Sequence, residues 1–290
     1  MDHMTAIDLD EKFQSGFKNL HSTETALLYV TDRLRISSDN NRISFLISLD
    51  LSSAFDTLDH PTLIEILSSH LGISGTALYW FRSYLENRST IVLFNGNYSE
   101  SKPLKYGVPQ GSVLGPLLFR IYLLPLLCLL KQLGLSFHIY ADDTQIYICC
   151  SLDDYMVTLN YIKSCYTQIS YLLSKLFLKL NDSKTEIILI GKKNIVDTCK
   201  SQTFNIEFNN SIITFSSFIK NLGVTFDENL TFEKHIKTIA NNAMLRLRVL
   251  RRVCSHFDKS SFEIIVHSII TSRLDYCNSL LSGIPTCSIR

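Results

Sequence analysis

Glycine and proline are scarce, 11 and 6 in 290 residues, which excludes collagen-like and low-complexity chains. Charged residues make up only 19% against 46% hydrophobic ones, so the chain can bury a sizeable core and is not intrinsically disordered. Neither sign of charge dominates: 28 basic and 27 acidic residues leave a net charge of +1. A basic total, the usual footprint of a nucleic-acid binder, is therefore absent. None of the eight cysteines (Cys128, Cys149, Cys150, Cys165, Cys199, Cys254, Cys277, Cys287) forms a Cys-x-x-Cys pair, which speaks against a zinc ribbon. Most lie in apolar runs, as free core thiols do.

Long apolar runs are also lacking. The greasiest stretch, Pro116 to Leu130, is broken by Arg120 and Pro125 and falls short of the roughly 20 residues that span a bilayer. The start, MDHMTAIDLDEKF, is acidic and polar, unlike a signal peptide. A reducing compartment, nucleus or cytoplasm, and no membrane are expected. Charge is unevenly spread. Residues 1–60 carry −5, whereas 231–260 carry +5, and a polyanion would prefer the second segment.

Length predicts about two domains or one large one. Leu27, Val30 and Leu34 recur at helical spacing, predicting a helix over Glu24 to Ile36. Ile43 to Leu49 reads as a buried strand that ends at Asp50. Helices are expected from Pro61 and over Thr76 to Leu85. Thr90 to Phe94 reads as a strand before an Asn95-Gly96-Asn97 turn. A loop from Tyr106 to Pro116 leads into a helix over 117–132. Ser136 to Tyr140 and Gln145 to Cys149 flank an acidic turn, a hairpin signal. A helix over Asp153 to Leu178, a strand over Thr185 to Ile190, further strands at 204–208 and 218–226, and helices from Thr231 complete the order. The fold class is α+β, with a boundary near 226–231.

Asp50 ends a buried strand, and Asp142 and Asp143 lie in the hairpin turn. If those strands are neighbours, the three acids converge although 92 residues separate Asp50 from Asp142. Converging carboxylates raise each other's pKa unless a cation sits among them. Oxygen ligands of this kind suit Mg²⁺, and a pair of such ions can stabilise both the attacking and the leaving oxygen of a phosphoryl displacement. Taken alone, Asp50 reads better as a solvated acid at a strand end, and Asp142-Asp143 is open between a solvated turn and a site.

The words around the acids decide. SLDLSSAFDTLDH (48–60), YGVPQGSVLGPLLF (106–119), FHIYADDTQIYI (137–148), LKLNDSKTEIIL (178–189) and NLGVTFDENLTF (221–232) follow the order of reverse-transcriptase motifs. They resemble most the polymerases of non-long-terminal-repeat, LINE-type retrotransposons. FQSGFKNLHSTETALL (13–28) and TSRLDYCNSLLSG (271–283) resemble the flanks of that domain.

The resemblance implies a right-hand polymerase: partial fingers and palm over 1–228, with a catalytic hairpin in the palm sheet, and a partial helical thumb over 229–290. It implies RNA-directed DNA polymerisation from a primer 3′-hydroxyl, with two Mg²⁺ (or Mn²⁺) held by Asp50, the Leu51 carbonyl, Asp142 and Asp143. The partners are RNA template, DNA primer and deoxynucleoside triphosphates. Nucleotide contacts fall on Phe55, which excludes a 2′-hydroxyl, and on Gln110, Gly111 and Lys184. Primer contacts fall on Tyr140, Leu222 and Gly223, and template contacts on Pro109, Gly111 and Ser112. Asp59 reads as the cap of the Pro61 helix, Asp56 is read as structural, and His60 has no visible partner. The basic stripe Arg246, Arg248, Arg251, Arg252 suits a duplex backbone.

Two departures bear on activity. Lys18 stands where relatives commonly have Arg, losing bidentate phosphate geometry. From the resemblance, an earlier basic fingers segment and the thumb end are expected to be missing. The expectation is a polymerase domain complete in its palm but truncated, with a non-catalytic remnant that binds nucleic acid weakly as the alternative.

Overall fold

The computed structural model describes residues 13–52, 55–109, 111–202, 205–208 and 211–284. Its centre is a four-stranded antiparallel sheet built from β1 (Ile43–Leu49), β6 (Ser136–Tyr140), β7 (Asp143–Cys150) and β8 (Glu186–Ile190), in the order β6-β7-β1-β8. β1 runs through the middle, and six of its seven residues are buried. Side chains alternate across a strand, and here both faces find an apolar layer. Phe45, Ile47 and Leu49 join one core with α4 (Gly115–Tyr122), α5 (Leu124–Gln132) and α6 (Tyr155–Lys175); Leu46 joins Leu27, Val30 and Leu34 of α1 (Thr23–Asp39) in the other. β8 divides likewise, with Ile187 and Leu189 on the first side and Ile188 and Ile190 on the second. Covering both faces explains why these strands read as near-continuous apolar runs.

Elements follow local chemistry closely. Ser22 and Thr25 close a reciprocal capping box that starts α1. Asp59 caps α2 (His60–Ser69), its carboxylate accepting the Thr62 N–H at 3.0 Å, as expected. α3 spans Gly75–Leu85. The single helix expected over 117–132 is instead two. Pro125 has no N–H to give a preceding turn, and the chain breaks at Leu123. The stretch Gly115–Gln132 is apolar and long enough to cross a membrane, but 61% of it is buried inside the fold.

The expected strand over Thr90 to Phe94 is broken into β2 (Ser89–Thr90) and β3 (Leu93–Phe94), which pair with β5 (Lys102–Pro103) and β4 (Asn97–Tyr98). All four lie on the exposed surface, and no second face locks them into one longer ladder. The stretch 218–226 is a hairpin, β11 (Phe218–Asn221) and β12 (Val224–Asp227), not one strand, because Leu222-Gly223 turns the chain back. A second hairpin joins β9 (Asn205–Phe208) to β10 (Ser211–Thr214). The helix α7 (Lys193–Gln202) has no counterpart in the sequence pattern. The 153–178 helix is shortened at both ends to α6.

Beyond Asp227 the chain is helical: α8 (Glu233–Val253), α9 (Lys259–Val266), a π turn at His267–Thr271 and α10 (Ser272–Leu274). Asp227 organises this entry, its carboxylate accepting the Asn229, Thr231 and Phe232 N–H groups. The segment after α10 returns to α1: Cys277 and Leu280 are buried in the α1 core, Glu24 accepts the Ser279 N–H, and Arg35 donates to the Leu280 carbonyl at 2.9 Å.

Candidate active site

β1 and β7 pair with Leu49 opposite Thr144. Asp50 and Asp143 are the next residue on each strand, so they stand beside one another at the same edge of the sheet. Asp142 follows from the β6–β7 turn, where Tyr140 pairs with Asp143 and only Ala141 and Asp142 lie between. Ala141 has φ +59°. A two-residue hairpin turn with a positive φ at its first position favours glycine, so an alanine there carries backbone strain of about 1 kcal/mol or more. Desolvation, and then the Asp142 and Asp50 charges, push the Asp143 carboxyl above its ordinary range. Carboxylates brought this close favour protonation or a cation.

The neighbouring strands on which the expected convergence depended are thus present. Among the described residues no three His, Cys, Asp or Glu side chains form a ready metal cage. One cation already faces the group: Lys184 Nζ lies 3.7 Å from the Asp50 carboxylate. Its loop is tied to the same residue, because the Asp50 carbonyl accepts the Asn181 N–H at 2.9 Å while Asn181 in turn accepts the Lys184 N–H at 3.0 Å. Leu51 bridges Leu180 antiparallel, with the hydrogen bonds made by Asp50 and Ser52. In such a pair the intervening N–H and C=O face the other edge, here the β7 side that carries Asp143. The donor set of three carboxylates and one carbonyl suits a hard divalent ion.

A second loop leans on the first. Gly107 has φ +80°, and a Cβ there would meet the Asp56 carbonyl at 2.9 Å and the Phe55 carbonyl at 3.0 Å. Only glycine permits that approach. Val108 N–H donates to the Phe55 carbonyl at 3.1 Å, and Gly107 N–H to that of Leu58 at 2.7 Å. His60, given no role from sequence, places Nε2 2.8 Å from the Gly107 carbonyl. Phe55 stacks on Phe119 with centroids 4.3 Å apart, so the ring is fixed from beneath. Gly111 has φ +77° with open space around it. Ser112 Oγ accepts the Gly115 N–H at 3.0 Å, tying the loop to the first residue of α4, a structural duty beside the expected template contact. Pro109 is half-buried at the loop's turn, its carbonyl accepting the Ser112 N–H at 3.2 Å. Gln110 lies outside the described residues.

The acidic turn has a support that sequence reasoning missed. Phe13, Gln14 and Ser15 run alongside β6, with the Ile139 N–H given to Phe13 and the Ser15 N–H to Ile139 at 2.8 and 2.9 Å. Gly16 then presses on the turn itself: a Cβ there would fall 2.2 Å from the Ala141 nitrogen. The FQSG word marks this segment, but nothing in it announces a partner 125 residues away. Ser15 Oγ also lies 2.8 Å from His138 Nε2. Burial holds that imidazole down to about 4.

The expected primer contacts lie at two places. Tyr140 is half-buried at the end of β6. Leu222 and Gly223 form the β11–β12 turn with φ +43° and +86°. Positive φ at both positions is the tight hairpin pattern, and for leucine it costs about 1–2 kcal/mol. A buried side-chain link, Gln145 Nε2 donating to Asn221 Oδ1, joins this turn to β7. On α8, Arg248, Arg251 and Arg252 are exposed, whereas Arg246 turns inward toward the Ile269 carbonyl.

An antiparallel sheet backed by helices, with acids at the ends of two paired strands and a hairpin beside them, is the palm of a right-hand polymerase. Solved structures agree on the fold. Apo telomerase from Candida tropicalis matches with a TM-score of 0.51 at 15% identity, over 78% of this chain and 42% of that one. The family model for reverse transcriptase (RNA-dependent DNA polymerase) matches residues 1–226. The chain belongs to the reverse transcriptase family, and its relatives are of the non-long-terminal-repeat, LINE-type kind. The probable RNA-directed DNA polymerase from transposon BS of Drosophila melanogaster is 29% identical over 263 residues, covering 86% of this chain and 27% of the relative. The RNA-directed DNA polymerase from mobile element jockey of the same fly is 27% identical over 234 residues, 79% of this chain and 24% of the relative. The chain spans about a quarter of the length of these relatives.

Proposed function

We propose that the chain carries the RNA-directed DNA polymerase activity of its family. A primer 3′-hydroxyl attacks the α-phosphate of a deoxynucleoside triphosphate on an RNA template, and pyrophosphate leaves. The observation that supports this most is the β1–β7 register, which sets Asp50 beside Asp143 at neighbouring strand ends. In this reading Asp50, Asp142 and Asp143 are the catalytic acids, and with the Leu51 carbonyl they hold two Mg²⁺, for which Mn²⁺ substitutes. When bound, the ions stabilise charge on the attacking and leaving oxygens.

The chain's own groups position the reactants, which is most of catalysis in phosphoryl transfer. Lys184, beside Asp50, takes the triphosphate side. Phe55, immobilised on Phe119, presents a flat wall to the sugar, where a 2′-hydroxyl has no room. Gln110 and Gly111 border the nucleotide, and Pro109, Gly111 and Ser112 border the template. Tyr140, Leu222 and Gly223 hold the primer end. Residues 1–228 form fingers and palm and 229–290 belong to the thumb. Free thiols at Cys150, Cys165 and Cys199, buried in the core, suit a reducing nuclear or cytoplasmic setting.

The test is primer extension on an RNA template with Mg²⁺. Asp142→Asn is expected to lower extension by at least about 10²-fold, since acids acting as a unit fail together. Extension by Asp142→Asn near the wild-type rate would overturn the assignment, and no extension by the wild-type chain would favour a non-catalytic remnant. In the same assay Phe55→Val is expected to raise ribonucleotide over deoxynucleotide incorporation. An unchanged ratio makes Phe55 a core residue only.

A further inference from the structure

The segment TSRLDYCNSLLSG (271–283), which contains α10, has no part in the chemistry above, yet one of its side chains reaches the β11–β12 turn. Tyr276 donates its hydroxyl to the Leu222 carbonyl at 2.7 Å. Its ring lies against Gly223, where a Cβ would come to 3.3 Å from Tyr276 Cε1. The residues it touches are the two left-handed ones, so the hydrogen bond falls on the strained part of the turn.

The other end of the strut is fixed. Cys277 and Leu280 are buried against α1, and Glu24 and Arg35 bind the backbone of Ser279 and Leu280. The turn is held from the opposite side by the Asn221 link to Gln145 of β7. A cleft of about 540 Å³ opens beside Tyr276, bordered by Lys220, Gly223, His235 and Arg273. The Leu222-Gly223 turn is thus suspended between the catalytic strand and a C-terminal tyrosine.

We propose that Tyr276 is a positioning residue for the primer terminus. It acts through the Leu222 carbonyl and sets the height of the Leu222-Gly223 turn over the acidic turn. The proposal rests on the reading of that turn as the primer contact. Removing the hydroxyl frees a strained loop to relax, and the 3′-end it holds drifts from in-line geometry.

The experiment compares the full chain with Tyr276→Phe and Gly223→Ala on an RNA–DNA hybrid whose primer ends in 2-aminopurine. For Tyr276→Phe, kcat is expected to fall about tenfold, because small displacements at a reacting centre are costly. KM for nucleotide and the hybrid Kd by anisotropy should stay within about twofold, since the hydroxyl touches neither partner. The terminal 2-aminopurine fluorescence should change in the bound complex, a readout that needs no turnover. The Tm should move by only a few degrees, as one neutral hydrogen bond is worth little net stability. Wild-type kcat and wild-type 2-aminopurine signal in Tyr276→Phe overturn the proposal. If Gly223→Ala alters both readouts while Tyr276→Phe alters neither, the turn contacts the primer and Tyr276 is not its strut. If neither variant alters either, the primer reading of the turn fails as well. Equal loss of kcat and of Tm, with hybrid affinity collapsing, makes Tyr276 a packing residue and also overturns the proposal.

Discussion

β1 and α8 show two ways of using apolar residues. In β1 all but one of seven residues are buried, between two helical layers. In α8, 21 residues long, only His235 and Leu250 are buried, while Met244, Leu245, Leu247 and Val249 remain exposed beside three exposed arginines. The first arrangement gives rigidity: a strand packed on both faces cannot slip without repacking two close-packed cores at once. The acids proposed as catalytic stand at its end. The second gives an accessible surface of apolar and cationic groups on an extended element, which can follow a bulky polyanion without a preformed pocket. The proposed function places chemistry on the region with two cores and nucleic-acid contact on the region with little core of its own.

The sharpest way to break this contrast is at the palm. Gly16→Ala puts a methyl group 2.2 Å from the Ala141 nitrogen, and neither backbone has room to give. The acidic turn must move, and extension is expected to fall by at least about 10²-fold with a lowered Tm. An active, stable Gly16→Ala protein would show that the acidic turn is as yielding as the α8 region.

The next effect is on stability. His138 is buried, and its pKa drops from 6.5 to about 4. The folded state therefore holds fewer protons than the unfolded chain between these values. The stability owed to the neutral imidazole is full above pH 6.5 and is lost as pH falls toward 4, a span worth up to about 3 kcal/mol. His235, on α8, is lowered by burial as well and adds in the same direction. Urea midpoints across pH 4–7 for wild type and His138→Gln check this; equal pH slopes would remove His138 from the account.

The smallest effect belongs to the exposed surface. Arg251→Ala with Arg252→Ala is expected to leave Tm unchanged and to reduce the salt slope of duplex binding by about 0.9 for each phosphate no longer neutralised. An unaltered slope would mean that these arginines are only solvated. A drop in Tm comparable to that of Gly16→Ala would erase the distinction between the two regions.

The residues legible from sequence share a physical trait, which is that their neighbours determine them. β1 is readable because seven apolar, β-rich residues stand together. Asp59 is readable as a cap because Pro61 follows it, and the acidic hairpin because apolar strands flank a polar turn. The order of the words names the family. Elsewhere the decisive contact is distant or the local signal is overruled. Pro125 announces the break at Leu123, but the apolar run around it reads as one continuous helix. Thr90 to Phe94 looks like a strand by composition, but a strand needs a covered face, and this one has none. The Leu222-Gly223 turn is marked by a single glycine inside a β-like run.

Sequence alone determined the chemistry available: which carboxylates exist, that they end strands, and which loop carries glycines. Tertiary structure alone decided what stands against what: Leu49 opposite Thr144, Lys184 beside Asp50, His60 under Gly107, Gly16 against Ala141, and Tyr276 on Leu222. Local propensity acts over a few residues through backbone sterics and short-range hydrogen bonds. Pairings between residues as far apart in the chain as Gly16 and Ala141 depend on how two apolar layers close over one sheet, and that is a property of the whole packed core.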